Sequence, residues 1–243
     1  MICDCFINKN HFCIFLFKNK EKILVYLGIY CSSNRTFGAT KYLLKSFGVS
    51  EKEVKNLSYR DEGCLGNMVL KLNNDKVRRY PYKDYYPKIR SFFVPYRCTL
   101  CADHFAELAD ISFGDIHIPE FWNDKVGTTS VIARSERGMN LLSSAMNQGI
   151  IVLNKVDKEL IIKSQKWGLI KKKRQITFRF SLLKFFGIRL PECDFTTLPI
   201  SKTEKIKTLI STAILYIEIW IGKRAFLWPL IKYLNKTAEM FKK

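Results

Sequence analysis

PYRCTLCADHFAELADISFGD, residues 95–115, is the most informative stretch of this 243-residue chain. Its start predicts a turn, its middle a short helix over Phe105 to Leu108, and ISF at 111–113 a short strand closed by Gly114-Asp115. Cys98 and Cys101 lie three apart, so one turn of chain can offer two thiolates to a single centre. A C-x-x-C alone is half a site, and no second C-x-x-C stands nearby.

Outward from this stretch, strand and helix signals alternate. Residues 23–31 (ILVYLGIYC) predict a buried strand ending in Cys31, and Phe37 to Phe47 has helical spacing that Gly48 stops. Val54 to Tyr59 predicts a strand. Met68 to Leu72 and Val77 to Tyr80 predict a hairpin around Asn73-Asn74-Asp75. YPYKDYYPKIRSFF predicts irregular or weakly helical chain. Gly127 to Arg134 predicts a strand, Ser135 to Asn147 a helix capped near Gly149, and Ile150 to Val156 a further strand. The expected fold is α/β, a mixed sheet with flanking helices around a cysteine-bearing region, followed by a basic helical tail. The expected segments are an atypical N-terminal stretch at 1–22, the main domain at 23–165 and the tail at 166–243.

Charge follows that division. The chain carries +19 overall. Residues 1–150 hold 21 basic and 15 acidic residues, whereas 151–243 hold 20 and 7. The excess in the tail suggests an anionic partner such as a lipid surface or an acidic protein. The KKKR run at Lys171 to Arg174 reads most simply as a solvated basic face. LISTAILYIEIWI, from Leu209 to Ile221, is too short and too charged at Glu218 to span a bilayer. It fits a buried C-terminal helix, a helix lying on a membrane surface or a partner-docking helix. The start of the chain has no basic region before its apolar residues and no small-residue cleavage site, so the expected compartment is cytoplasmic, with peripheral membrane contact through the tail. Tyr80, Tyr82, Tyr85 and Tyr86 alternate with basic residues, yet no nucleic-acid motif accompanies them, and nucleic acid is not an expected partner.

Eight cysteines are many for a chain expected in a reducing compartment, where thiol clusters serve metals more often than disulfides. Cys31 ends a predicted strand and Cys64 sits between Gly63 and Gly66, so Cys31, Cys64, Cys98 and Cys101 form a candidate four-thiolate set. Such a set fits a [4Fe–4S] cluster or zinc; a redox dithiol or inert buried thiols are the other readings. Cys3, Cys5, Cys13 and Cys193 fall outside it. Asn34 and Arg35 lie just past Cys31, and Arg35 could hold a cofactor phosphate or carboxylate. At Gly114 a cofactor could come close, with Asp115 accepting a hydrogen bond from its hydroxyls. His104 could bond to a ligand of the centre or relay a proton; alternatively it and Asp103 simply begin a helix.

GIYCSSNRTFGATKYLLKSFG, YRDEGCLGNM, FVPYRCTLCADHFAELADISFGDIH and GTTSVIARSERG together resemble the C-terminal part of the coenzyme F420 hydrogenase/dehydrogenase beta-subunit family. The resemblance covers about 23–165. It implies an iron–sulfur flavoprotein, with Cys31, Cys64, Cys98 and Cys101 on a [4Fe–4S] cluster, FAD as flavin, and electrons passing between a deazaflavin-type carrier and a partner. Residues 1–22 do not resemble the family's upstream domain, which implies a redox partner protein or a missing N-terminal domain. The alternative implied is a non-catalytic, truncated, metal-stabilised adaptor in a surface-polysaccharide modification system.

Overall fold

The computed structural model of the chain describes residues 23–62, 65–121, 126–190 and 198–240. In chain order the elements are β1 (Leu27–Ile29), α1 (Phe37–Ser46), β2 (Val54–Asp61), β3 (Asn67–Leu72), β4 (Val77–Pro81), α2 (Tyr82–Ile89), α3 (Tyr96–Thr99), β5 (Ile111–Asp115), β6 (Thr129–Ala133) and α4 (Glu136–Asn147). Then follow α5 (Lys158–Ser164), α6 (Lys166–Leu169), a wider π-helical run at Ile170–Arg174, α7 (Gln175–Phe185), α8 (Lys202–Gly222) and α9 (Trp228–Met240). The chain gathers into two compact units. Unit 1 draws on Met1–Ser32, Leu100–Trp122 and Thr128–Ile206; unit 2 draws on Ser33–Thr99, Asn123–Gly127 and Lys207–Lys243.

Unit 1 is built on a three-stranded mixed sheet in the order β1-β5-β6. β1 runs parallel to β5, with Leu27 opposite Ile111, and β6 runs antiparallel, with Ile111 opposite Ala133. β5 is central, so Ile111 and Ser112 are buried. β1 is an edge and shorter than its apolar run predicts, and Leu27 and Ile29 stand more than half exposed. α4 begins as expected at Ser135, whose Oγ accepts the Gly138 amide at 3.1 Å. A side chain at Gly138 would meet the Asp110 carbonyl, so this glycine lets α4 approach the end of the sheet. Two expected elements are absent from this unit. Phe105 to Leu108 is a turn with Ala106 at φ 51, packed on Gly28, where no α-helix can continue. Ile150 to Val156 has no strand partner, and Ile150 and Val152 are exposed.

Unit 2 contains an antiparallel meander, β2-β3-β4. β3 and β4 form the expected hairpin, with Asp75 in the left-handed region at φ 60 as the turn requires. The end of α1 follows from local chemistry. Gly48 takes φ 63, its amide reaches the Lys45 carbonyl at 3.2 Å, and the Val49 amide reaches Leu44 at 2.9 Å. These two bonds satisfy carbonyls that a helix end leaves open. The core of the unit gathers Leu43, Met68, Leu70, Tyr85, Phe93 and Ile231. The tyrosine-rich segment forms α2 and spends its rings internally. Tyr82 stacks on Tyr86 at 4.6 Å, Tyr80 stacks on Phe47 at 3.6 Å, and Tyr85 is buried.

The fold is therefore mixed α/β with flanking helices and a basic C-terminal helical stretch. The iron–sulfur-binding region expected within it is not formed: among the described residues, no group of three or more His, Cys, Asp or Glu side chains could hold a metal ion.

Candidate functional site

The loop from Leu100 to Asp110 in unit 1 is held by side chains that arrive from distant parts of the sequence. His104 is its centre, with 1% of its surface exposed. Its amide carbonyl accepts the Cys31 N–H at 2.9 Å, and its Nδ1 lies 3.2 Å from the Cys31 carbonyl oxygen. Its Nε2 lies 3.0 Å from Gln165 Oε1. Gln165 Nε2 donates to the Asp115 carbonyl at 2.7 Å and to Ser164 Oγ at 3.0 Å, which orients the amide oxygen toward the imidazole. A polar chain thus runs from Cys31 through His104 and Gln165 to the end of β5.

Both ring nitrogens of His104 face carbonyl oxygens, and a neutral imidazole can donate to only one of them. These bonds favour protonation, but burial, supported by the nearby Lys172 ammonium, outweighs them and holds the His104 pKa below its ordinary value of 6.5. The sign of the linkage follows. Below about pH 6.5 the unfolded chain takes up a proton at this residue that the folded chain resists. Stability should therefore fall as the pH drops from 7 toward the folded pKa and stay level, for this group, above 7. Urea midpoints measured across that range should show this slope, and His104→Gln should flatten it. An identical slope in the variant would count against the assignment.

Lys172 is the second inward group. It is 4% exposed, and Lys173 beside it is 8% exposed, so the centre of the KKKR run is not the solvated face that its composition suggests. Lys172 Nζ donates to the Asp103 carbonyl at 2.6 Å and to Cys101 Sγ at 3.4 Å. Lys173 Nζ pairs with the Glu107 carboxylate at 2.6 Å. The π-helical run at 170–174 is what turns two adjacent lysines toward the same loop; such runs frequently occur at functional sites. On the loop, the Asp103 carboxylate accepts the Glu107 amide at 3.1 Å, capping a turn and not a helix.

Other polar residues of unit 1 serve the sheet. The buried Asp110 carboxylate accepts the Tyr26 amide at 2.8 Å and pairs with Arg137 at 3.3 Å. Burial opposes its ionisation, but Ser135, Tyr26 and Arg137 together prevail and hold its pKa below the usual carboxylate value. Arg134 donates to Ser112 Oγ at 2.8 Å and to the Phe105 carbonyl at 3.2 Å. A side chain at Gly114 would overlap the Tyr30 ring, so the close approach predicted there is made by Tyr30.

Asn34, Arg35 and Cys98 belong to unit 2. The Asn34 amide donates to Cys98 Sγ at 3.5 Å, and Asn34 Oδ1 accepts the Arg35 amide at 2.8 Å. The Arg35 guanidinium is oriented by the Ile89 carbonyl at 3.1 Å, Ser33 Oγ at 2.7 Å and the Tyr86 hydroxyl at 3.1 Å.

These placements correct the cofactor expectations. A [4Fe–4S] cluster needs four thiolates around one centre. Cys31, Cys98 and Cys101 are thiols outside any disulfide, but they form no metal-holding group among the described residues. Cys64 lies outside those residues, as do Cys3, Cys5, Cys13 and Cys193. Iron–sulfur and zinc centres are withdrawn on that finding, and so is the FAD expected to exchange electrons with the cluster. Gln165 and Lys172 were not legible as site residues. Gly168 is the one sequence signal that could have found them: a glycine inside a helix costs stability and is kept where a neighbour comes too close for a Cβ, as His104 does here.

Residues 9–159 match the family described as the C terminus of the coenzyme F420 hydrogenase/dehydrogenase beta subunit. The chain belongs to this family. The F420 hydrogenase/dehydrogenase match begins inside the stretch set apart as 1–22 and includes the His104 loop and all of β1 to β6. The F420 hydrogenase beta subunit of Methanothermobacter thermautotrophicus is 27% identical over 57% of this chain and 44% of its own length. That of Methanococcus voltae is 23% identical over 58% of this chain and 45% of its own. The coenzyme F420-dependent sulfite reductase of Methanocaldococcus jannaschii is 22% identical over 56% of this chain and 19% of its own. The chain thus spans less than half the length of these curated relatives. A chain of the xenon-derivatised F420-reducing [NiFe] hydrogenase complex from Methanosarcina barkeri aligns with a TM-score of 0.48 at 20% identity, over 76% of this chain and 60% of that one. Membership places the chain in an oxidoreductase family. No helix among the described residues is long and apolar enough to cross a membrane.

Proposed function

We propose that this chain is a redox subunit that works with coenzyme F420, a deazaflavin carrier, beside a partner redox protein. The family match over residues 9–159 carries the reading, because both F420 hydrogenase beta subunits align over a comparable share of the chain. The residues proposed to meet the coenzyme are Asn34 and Arg35, both on unit 2. Arg35 is suited to a carboxylate or phosphate because its guanidinium is already oriented, so less side-chain freedom is lost on binding. His104, Gln165 and Lys172 are positioning residues. They fix the carbonyls of Cys31, Asp103 and Asp115 and so hold the loop that carries the family's distinctive sequence.

The test is an anaerobic titration of the full chain with coenzyme F420, followed by the coenzyme's own fluorescence. Saturable binding is expected, weakened about tenfold or more in Arg35→Gln, as loss of a charge-assisted hydrogen bond implies. Binding equal in the variant would remove Arg35 from the site. No binding by the parent chain, alone or with its redox partner, would sink the reading.

A further inference from the structure

We propose that α8 and the start of α9 form a docking face for an anionic lipid surface, on which the helices lie without crossing it. The observation is an inverted helix. The buried residues of α8 are Thr208, Thr212, Ile219 and, at its C-terminal end, Ile221 and Gly222. Leu209, Ile210, Ile214, Ile217 and Trp220 point the other way; Ile214 and Trp220 are each 51% exposed, and Ile217 is 59% exposed. Their spacing of three and four places them on one side of the helix. Beyond the end of α8, Phe226, Leu230 and Tyr233 are exposed as well. An apolar stripe of this extent is larger than the scattered single side chains of an ordinary surface and marks an interaction site.

Charge identifies the occupant. Lys207 stands at one end of the stripe, Lys223 and Arg224 at the other, and Lys232 on α9; across residues 207–235 Glu218 is the only acidic residue. A bare apolar groove on a protein gives no reason for these cations, whereas the negative potential of a bilayer surface does. Lysine stems lie along apolar surface while their ammonium groups reach outward, which suits the boundary between acyl chains and headgroups. Aromatic rings gather at the same depth in membrane proteins, and here Trp220 lies under the Arg224 guanidinium at 4.1 Å, with Phe226 and Tyr233 beyond it. α8 is not long and apolar enough to span, which leaves an orientation in the plane of the surface.

Flotation of the full chain with phosphatidylcholine vesicles containing about one-third phosphatidylglycerol tests this, with pure phosphatidylcholine as the second arm. The chain is expected to float with the anionic vesicles and only weakly with the neutral ones. Each of Lys207→Gln and Lys223→Gln should weaken binding about fivefold. Ile214→Glu with Ile217→Glu should abolish it while leaving the far-ultraviolet circular dichroism unchanged, since both positions are exposed. Tryptophan emission should shift to the blue on binding, and Trp220→Phe should remove the shift. The proposal is overturned if the parent chain ignores anionic vesicles, if the lysine variants bind as well as the parent, or if the glutamate pair leaves binding intact. It is also overturned if the glutamate pair instead dissociates a dimer that has no affinity for vesicles, because the face would then be an interface between copies.

Discussion

Replacing Phe93 by alanine is expected to lower the stability of unit 2 by about 3–5 kcal/mol, the range for removing a buried aromatic ring. Phe93 is 2% exposed. Its ring sits 5.4 Å from that of Tyr42 and 5.9 Å from that of Trp228, and Gly38 of α1 packs against its edge. Its carbonyl accepts the Thr36 amide at 2.8 Å, which ties the segment to the start of α1. The neighbours are rigid rings and a helix backbone, so they cannot collapse into the space left behind. Urea unfolding followed by tryptophan emission would read the loss, with Trp228 in the affected core. Phe93→Leu should cost less because it retains much of the volume. A loss in Phe93→Ala below about 1 kcal/mol would mean that the ring is not packed as described.

The second large effect concerns the His104 loop. Gly168→Val places a branched side chain where even a Cβ would overlap Cε1, Nδ1 and Nε2 of His104. The imidazole has no free direction of retreat, because the Cys31 carbonyl and Gln165 Oε1 bracket it. Overpacking of this kind costs about 1–3 kcal/mol, and the bonds forfeited at His104 place this case toward the upper end. The double variant His104→Ala with Gly168→Val identifies the cause. Removing the ring relieves the overlap, so the double variant should be less destabilised than the sum of the two single variants, a coupling of about 1 kcal/mol or more. Strict additivity would show that Gly168 acts elsewhere.

Much of the local structure was legible because its causes are local. The Asn73-Asn74-Asp75 turn, the Gly48 stop of α1 and the Ser135 cap of α4 each depend on a few neighbouring residues, and each stands where the sequence places it. The failures were long-range. Ile150 to Val156 has strand composition but no partner to pair with. The Phe105 to Leu108 helix gives way to a turn because Gly28 draws the backbone close at Ala106. The spacing of Cys98 and Cys101 suggests one centre, but a metal also needs the remaining donors at the same point. Among the described residues they do not converge.

The lysine run marks the same limit most sharply. Composition makes Lys171 to Arg174 a surface feature, since an isolated lysine is costly to bury. Burial becomes favourable only when acceptors already stand at the ammonium groups, and the Asp103 carbonyl and Glu107 carboxylate come from a loop on the far side of β5 and β6 in sequence. By itself the sequence determined the family, the alternation of α and β elements, the caps and turns, and the basic character of the tail. The tertiary structure decided which lysines turn inward, why residue 168 is glycine, that the described cysteines form no metal-holding group, and that α8 buries Thr208 and Thr212 while exposing Ile210, Ile214 and Ile217. The physical reason is common to all four: each depends on where side chains distant in sequence come to lie, and periodicity, capping and spacing report only on neighbours along the chain.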